Sequence, residues 1–310
     1  MEYFFLISGL VLLFLGGEFL VRSAVSIALK FNISKLVVGM TVVSLATSAP
    51  ELLVSLESAL DNHSDISFGN VIGSNIANIG LVLGLTCLVM PIPVSSETLK
   101  INYPVMSLVS ILLVAVLYIF QGVNLYVGIF FLLFLGGFLY FLVYNSKKNN
   151  SPEDSSEEFR IDSNWKSVLF LVLGGAGLYY GADLFINGAV DISTDWGVSD
   201  RIISLSVVAI GTSVPELAAS LIAAFKKQDG IALGNLLGSN IFNILAVLGV
   251  TSLFTNLQVI DMDLIFKDVW WMLGFAFVLY PLIKIGQKNM LNKKDGVLIL
   301  LAYIAYIYLM

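Results

Sequence analysis

The chain has 310 residues, of which 58% are hydrophobic and only 12% are charged, and its net charge is −6. Soluble domains carry roughly 25% charged residues, so this composition excludes an ordinary soluble protein and predicts one that lies in lipid. The single cysteine, Cys87, excludes a disulfide framework. The single histidine, His63, argues against a zinc site of the ordinary type, and no cofactor is expected.

The hydrophobic residues occur in blocks of about 20, the length at which a helix crosses a hydrocarbon core of about 30 Å. The first residues, Met1-Glu2-Tyr3, lack the basic start of a signal peptide, so we expect the first block to be a membrane span. The predicted spans are residues 3–26, 35–59, 67–91, 103–120, 124–144, 166–189, 202–224, 231–254, 269–285 and 295–309.

One long polar stretch, residues 146–164, separates the fifth and sixth spans. It is predicted to be a cytoplasmic linker between a first half, residues 1–145, and a second half, residues 165–310. Basic residues are retained on the cytoplasmic side of a membrane. If the N-terminus is extracytoplasmic, every lysine and arginine except Arg201 and Lys267 lies on the cytoplasmic side. We therefore predict a multi-pass protein of the cell (inner) membrane with both termini extracytoplasmic.

The two halves repeat each other at an offset of 165 residues. The sequence ATSAPEL at 46–52 matches GTSVPEL at 211–217, and GNVIGSNIAN at 69–78 matches GNLLGSNIFN at 234–243. Because five spans is an odd number, the second half must enter the membrane from the opposite side. The predicted fold is thus an all-α integral membrane protein with ten transmembrane helices, arranged as two inverted five-helix repeats. Transporters built this way bind substrate near the midplane.

A polar stripe runs along one face of the second span and recurs in the seventh. Its members are spaced by three or four residues, which puts them on one side of a helix. They are Ser44, Thr47, Ser48, Glu51 and Ser55 in the second span, and Thr212, Ser213, Glu216 and Ser220 in the seventh. A charged side chain at the bilayer centre costs at least a few kcal/mol, so such residues normally serve an ion or proton path.

Proline explains the rest of this motif. Pro50 has no N–H to donate to the carbonyl of Ala46, so the helical turn that precedes Pro50 is expected to open. Pro215 is expected to have the same effect in the seventh span. Freed carbonyls beside a carboxylate form an oxygen cage, the donor set that Ca²⁺ and Na⁺ prefer. In the third and eighth spans, neutral oxygens lie one turn apart on a shared face, where ligation of ions and interhelical hydrogen bonding are both open. These residues are Ser74, Asn78, Ser239 and Asn243.

The twin motif resembles the α-repeats of the calcium/cation antiporter superfamily, closest to its prokaryotic Na⁺/Ca²⁺ exchangers. The resemblance covers both halves and implies a secondary antiporter with one Ca²⁺ site and up to three Na⁺ sites, working by alternating access. It implies that Glu51 and Glu216 chelate Ca²⁺ together with the backbone carbonyls of Thr47 and Thr212.

The same resemblance implies the Na⁺ sites. Their residues are Ser48, Ser74, Ser213 and Ser239, the carbonyls of Ser44 and Ala209, and the central amides Asn78 and Asn243. Some relatives carry an aspartate at one of the two amide positions. Two amides leave two formal charges, which argues against K⁺ cotransport, while electrogenic three-to-one exchange is the family expectation. The implied partners are Ca²⁺, Na⁺ and the lipid bilayer, with no nucleic acid and no protein partner.

Three other functions fit the sequence less well than Na⁺/Ca²⁺ exchange. A Ca²⁺/H⁺ antiporter would protonate Glu51 and Glu216 in place of Na⁺, but a proton needs no cage of hydroxyl and amide oxygens. A channel fits inverted repeats with a buried charged site less well than a carrier does. An intramembrane hydrolase is disfavoured because this chain has no intramembrane histidine, no nucleophile elbow and no Cys–His pair. An enzyme is therefore not expected.

Overall fold

The computed structural model describes residues 2–149, 163–196, 211–285 and 289–309. The helices of the first half are α1 (Glu2–Phe31), α2 (Lys35–Val38), α3 (Ser44–Thr47), α4 (Ala49–Leu60), α5 (Ser64–Ala77), α6 (Gly84–Val89), α7 (Tyr103–Phe120) and α8 (Leu125–Asn149). Those of the second half are α9 (Asn164–Asp195), α10 (Val214–Phe225), α11 (Asp229–Phe242), α12 (Leu248–Phe254), α13 (Val269–Ile285) and α14 (Lys293–Leu309). The π-helical turns in these ranges are Gly39–Val43, Asn78–Leu83, Thr98–Asn102, Asn243–Val247 and Leu264–Asp268.

Within the described ranges, seven helical segments are long and apolar enough to cross a membrane. They are Glu2–Phe31, Ser64–Val89, Thr98–Phe120, Leu125–Lys148, Asn164–Asp195, Asp229–Phe254 and Leu264–Lys284. The bent pair Lys35–Thr47 and Ala49–Leu60 adds an eighth when it is counted as one span. The chain is therefore a multi-pass helical membrane protein.

Helices also occupy the other two predicted spans. In the seventh, α10 has 12 residues, and residues 202–210 of that span lie outside the described part of the chain. In the tenth, α14 has 17 residues. The ten-span count and the inverted arrangement of the halves stay predictions.

The repeat in the sequence recurs in the boundaries of the helices. Both α4 and α10 have 12 residues, and both α5 and α11 have 14, each pair at the same offset of 165 residues. A π-helical turn then begins at Asn78 in one half and at Asn243 in the other. The matching motifs therefore adopt the same local structure.

Two compact units make up the chain, and each takes helices from both halves. The first unit comprises Met1–Thr47 and Phe141–Asn235, and the second comprises Ser48–Tyr140 and Leu236–Met310.

In the first unit, α1 packs along α9 with the two backbones close together. A Cβ atom added at Gly16 would lie 2.7 Å from the backbone nitrogen of Leu178, and one at Gly174 would lie 2.7 Å from that of Leu20. Small residues allow this approach, which is how helices gain packing energy in lipid. The buried apolar core around this contact also includes Ile222 of α10.

In the second unit, α4 packs against α5, and α14 packs against α6. Two short antiparallel pairs fasten the loops at the ends of the helices. Strand β1 (Ile92–Pro93) pairs with β4 (Met290–Leu291), and β2 (Gly122–Val123) pairs with β3 (Leu257–Gln258). These pairings join segments that are far apart in sequence.

Candidate ion-binding site

The second span breaks at Ser48, where the predicted proline motif lies. Ser48 has φ −87° and ψ 6°, outside helical values, and α4 begins directly after it with Pro50 as its second residue. The seventh span repeats the geometry at Ser213, with φ −89° and ψ 4°, before Pro215. A proline is tolerated in the first turn of a helix, where its missing N–H would have no partner. The motif therefore starts a new helix in each half.

The two predicted glutamates occupy the first turns of these new helices. Glu51 is the third residue of α4 and Glu216 the third residue of α10. Both side chains are 0% exposed. The start of a helix carries a partial positive charge that favours a carboxylate, but a fully buried carboxylate still needs a cation or a proton to offset its loss of water.

A side-chain network beside Glu51 fastens α4 to α5. Asn70 donates its amide to the carbonyl of Glu51 over 3.1 Å and to the hydroxyl of Ser55 over 2.9 Å. Ser67 donates to the carbonyl of Ser55 over 2.6 Å. The helix that carries the glutamate is thus held in place by polar contacts on its inner face.

An equivalent network in the first unit centres on Asn235. Its amide donates to the hydroxyl of Ser220 over 3.1 Å. Its side-chain oxygen accepts a bond from Thr47 over 3.1 Å, and its backbone carbonyl accepts one from Ser44 over 3.0 Å. These bonds fix α3, which packs against the Glu216 helix, and they employ the side chains of two predicted site residues.

The predicted amides Asn78 and Asn243 are both 0% exposed. Asn78 donates to the side-chain oxygen of Asn240 over 3.1 Å. Among the described residues, the side-chain oxygen of Asn78 and both amide atoms of Asn243 have no hydrogen-bond partner. Buried amide oxygens of this kind are suitable ligands for Na⁺ and Ca²⁺.

Among the described residues, no group of three or more histidine, cysteine, aspartate or glutamate side chains could hold a metal ion.

The predicted site residues divide between the two units. The second unit contains Ser48, Glu51, Ser74, Asn78, Ser239 and Asn243, and the first contains Ser44, Thr47, Thr212, Ser213 and Glu216. All of these are buried except Thr212, which is partly buried, and Ala209 lies outside the described residues. Each unit thus contains one of the two glutamates and some of the predicted hydroxyl or amide ligands. That the two glutamates share an ion stays a prediction.

Four asparagines next to these residues were not assigned a role from the sequence. Asn70 and Asn235 hold the glutamate-bearing helices, while Asn75 and Asn240 contact the amide region. The signal that could have found them is their identity at matching positions of the repeated motif. Identity at matching positions does not by itself tell whether an asparagine binds an ion or a neighbouring helix.

The fold and these two buried sites define a class, the multi-pass membrane carriers of cations. A family model described as sodium/calcium exchanger protein matches residues 1–144 and 166–310. The chain belongs to this family, whose activity is the antiport of Ca²⁺ against another cation.

Individual relatives support the same assignment. The putative antiporter CaxA of Alkalimonas amylolytica is 40% identical, with 99% of this chain and 97% of the relative covered. The sodium/calcium exchanger MaX1 of Methanosarcina acetivorans is 30% identical over 99% of this chain and 97% of its own length. A solved structure of the sodium-calcium exchanger NCX_Mj, soaked with zero Na⁺ and Ca²⁺, has a TM-score of 0.83 and 34% identity, covering 99% of this chain and 98% of that one.

Proposed function

We propose that this protein exchanges Ca²⁺ for Na⁺ across the cell (inner) membrane by alternating access. Its ten spans would form two inverted repeats, with both termini extracytoplasmic. The observation that carries the proposal is the duplicated glutamate. Glu51 and Glu216 are each fully buried, and each lies in the first turn of a helix that begins directly after a residue with non-helical backbone angles.

In this proposal Glu51 and Glu216 bind Ca²⁺ together with the backbone carbonyls of Thr47 and Thr212. Two carboxylates balance the charge of one Ca²⁺, and Ca²⁺ takes six to eight oxygen ligands. The non-helical backbone angles of Ser48 and Ser213 support the contribution of carbonyls, since a carbonyl next to such a residue can turn away from the helix. The relatives named as sodium/calcium exchangers support the choice of ions.

Na⁺ would occupy sites made of neutral oxygens around the glutamates. The proposed ligands are Ser48, Ser74, Ser213, Ser239, Asn78 and Asn243, with the carbonyls of Ser44 and Ala209. Support comes from the side-chain oxygens of Ser213, Asn78 and Asn243, which are buried and have no hydrogen-bond partner among the described residues. These neutral oxygens favour Na⁺ over H⁺ as the coupling ion, because a proton would need only the glutamates.

The test is transport by the full-length protein in liposomes. Liposomes are loaded with Na⁺ and diluted into Na⁺-free buffer, and uptake of ⁴⁵Ca²⁺ is followed. Matched liposomes contain K⁺ or carry an imposed pH gradient. We expect uptake only with internal Na⁺, and we expect Glu51→Gln and Glu216→Gln to abolish it because each removes half of the charge that balances Ca²⁺.

Glu57→Gln is the matched control, since Glu57 is an exposed glutamate on the same helix as Glu51. It should transport like the wild type. Uptake driven by the pH gradient, and lost in the same two variants, would replace Na⁺ by H⁺ as the coupling ion. Uptake that survives in both variants would contradict the proposed Ca²⁺ site.

A further inference from the structure

The hydrogen bond that holds Asn78 has an equivalent in the other half that is not made. Asn78 donates to the side-chain oxygen of Asn240 over 3.1 Å. At the offset of 165 residues, the matching bond would run from Asn243 to Asn75. Among the described residues, both amide atoms of Asn243 and the side-chain oxygen of Asn75 have no hydrogen-bond partner. All four asparagines lie in the second unit and are at most 3% exposed.

The methionine contacts of Asn75 and Asn240, by contrast, are repeated, although Asn75 also donates its amide to the backbone carbonyl of Asn240 over 3.3 Å. Asn240 directs its amide nitrogen to the sulfur of Met106, and Asn75 directs its own to the sulfur of Met272, in both cases over 3.8 Å. Met106 is the fourth residue of α7 and Met272 the fourth of α13. A thioether can only accept a hydrogen bond, so each methionine orients its asparagine with the nitrogen towards the sulfur. The side-chain oxygen of each asparagine therefore faces away from the sulfur.

We propose that Asn240 and Asn75 are positioning residues that bind the amides of Asn78 and Asn243 in alternation, one in each access state. This inference rests on the proposed function. In a carrier built from inverted repeats, access changes sides as one repeat or bundle moves against the other, and in this proposal the two halves thereby exchange the contacts of their matching asparagines. A bond made by one half in the first state is then made by the other half in the second. Asn78–Asn240 is the bond of the present state, and Asn243–Asn75 is its counterpart.

The alternation acts on the ions through the orientation of an amide. When the nitrogen of Asn78 is bound to Asn240, its oxygen is the end left for a cation, and it is held in one orientation. Asn243, which is held at neither end among the described residues, can turn. Each access state therefore offers one fixed amide oxygen and one that can rotate. Because neither side chain carries a charge, orientation rather than protonation decides which amide binds.

The test compares Asn240→Ala with Asn75→Ala at the two faces of the membrane. Right-side-out and inverted vesicles are prepared from the same expressing cells, and the apparent KM for Ca²⁺ and the maximal rate of Na⁺-dependent exchange are measured in each. We expect each variant to raise the KM about fivefold at one face, the size of one lost hydrogen bond. At the other face the KM should stay within about twofold, and the two variants should affect opposite faces.

Two milder variants keep the test decisive if the alanine variants fail to fold. Met106→Leu and Met272→Leu preserve volume but remove the sulfur that orients Asn240 or Asn75. Each should raise the KM at the same face as the corresponding alanine variant, by a smaller factor. The control is Thr86→Val on α6, whose hydroxyl donates to the carbonyl of Val82 in the preceding π-helical turn. Its KM should be unchanged at both faces.

A purely structural role for these asparagines predicts a different pattern. The KM would then rise equally at both faces, or both variants would affect the same face, and either result would overturn the inference. A wild-type protein whose Ca²⁺ exchange does not depend on Na⁺ at either face would contradict the proposed function itself. The wild-type vesicles thus separate a failure of the alternation from a failure of the function.

Discussion

The amide nitrogen of Asn235 donates to the hydroxyl of Ser220 over 3.1 Å. The equivalent pair in the first half, Asn70 and Ser55, makes the same bond over 2.9 Å. In each half the bond joins the helix that carries the buried glutamate to the helix that follows it. Asn70 and Asn235 therefore help to position the helices that carry the glutamates.

Asn235→Ala should destabilise the protein and weaken transport. It removes the bonds that the hydroxyls of Ser220 and Thr47 make to this side chain, at a cost of about 0.5–1.5 kcal/mol for each lost hydrogen bond. We expect a lower thermal midpoint, measured by size-exclusion chromatography after heating, and slower Na⁺-dependent Ca²⁺ uptake. Asn164→Ala, at the exposed start of α9, is the control. Equal midpoints for the two variants would contradict the role of Asn235.

The ion pair between Glu18 and Lys226 joins α1 to the C-terminal end of α10 within the first unit. Both side chains are partly exposed, so the pair contributes at most about 1 kcal/mol. Lys226→Met should lower the thermal midpoint slightly, and Glu18→Lys combined with Lys226→Glu should restore it. Lys227→Met, at the exposed neighbouring residue, should have no effect. If the charge exchange fails to restore the midpoint, the contact is not electrostatic.

Gly16→Ala should disrupt the packing of α1 on α9. The added Cβ would lie 2.7 Å from the backbone nitrogen of Leu178, a distance that can be relieved only by separating the helices. We expect a loss of thermal stability and of transport. The same substitution at Gly136 on α8 meets no atom within 4 Å and should be neutral or stabilising by about 0.5–1 kcal/mol. Similar losses in both variants would mean that the close approach of α1 and α9 does not explain the effect.

The exchange should respond to membrane voltage if three Na⁺ move against one Ca²⁺. One net charge then crosses per cycle, and 100 mV is worth about 2.3 kcal/mol per charge, which corresponds to about a 50-fold change in the Ca²⁺ ratio at equilibrium. Liposomes clamped at different voltages with valinomycin and K⁺ gradients would measure this ratio. A ratio that is independent of voltage would indicate two Na⁺ per Ca²⁺, the number that the two glutamates balance.

Much of the local structure was predictable because its cause is local. Pro50 and Pro215 predicted opened turns, and the structure has non-helical backbone angles at Ser48 and Ser213, directly before each proline-containing helix. The burial of Glu51 and Glu216 followed from their place in apolar segments. The π-helical turns that begin at Asn78 and Asn243 were not predicted, because these turns depend on how the surrounding helices pack.

The sequence by itself determined the membrane class, the duplication and the chemical types available for binding, since hydropathy, spacing and residue identity are properties of the chain alone. Only the tertiary structure decided which of two matching motifs makes a given bond. Asn78 and Asn243 occupy equal places in the repeat, yet Asn78 is bound to Asn240 while Asn243 has no hydrogen-bond partner among the described residues. The orientation of an amide depends on the atoms that pack around it, and matching positions of the two halves do not have the same neighbours.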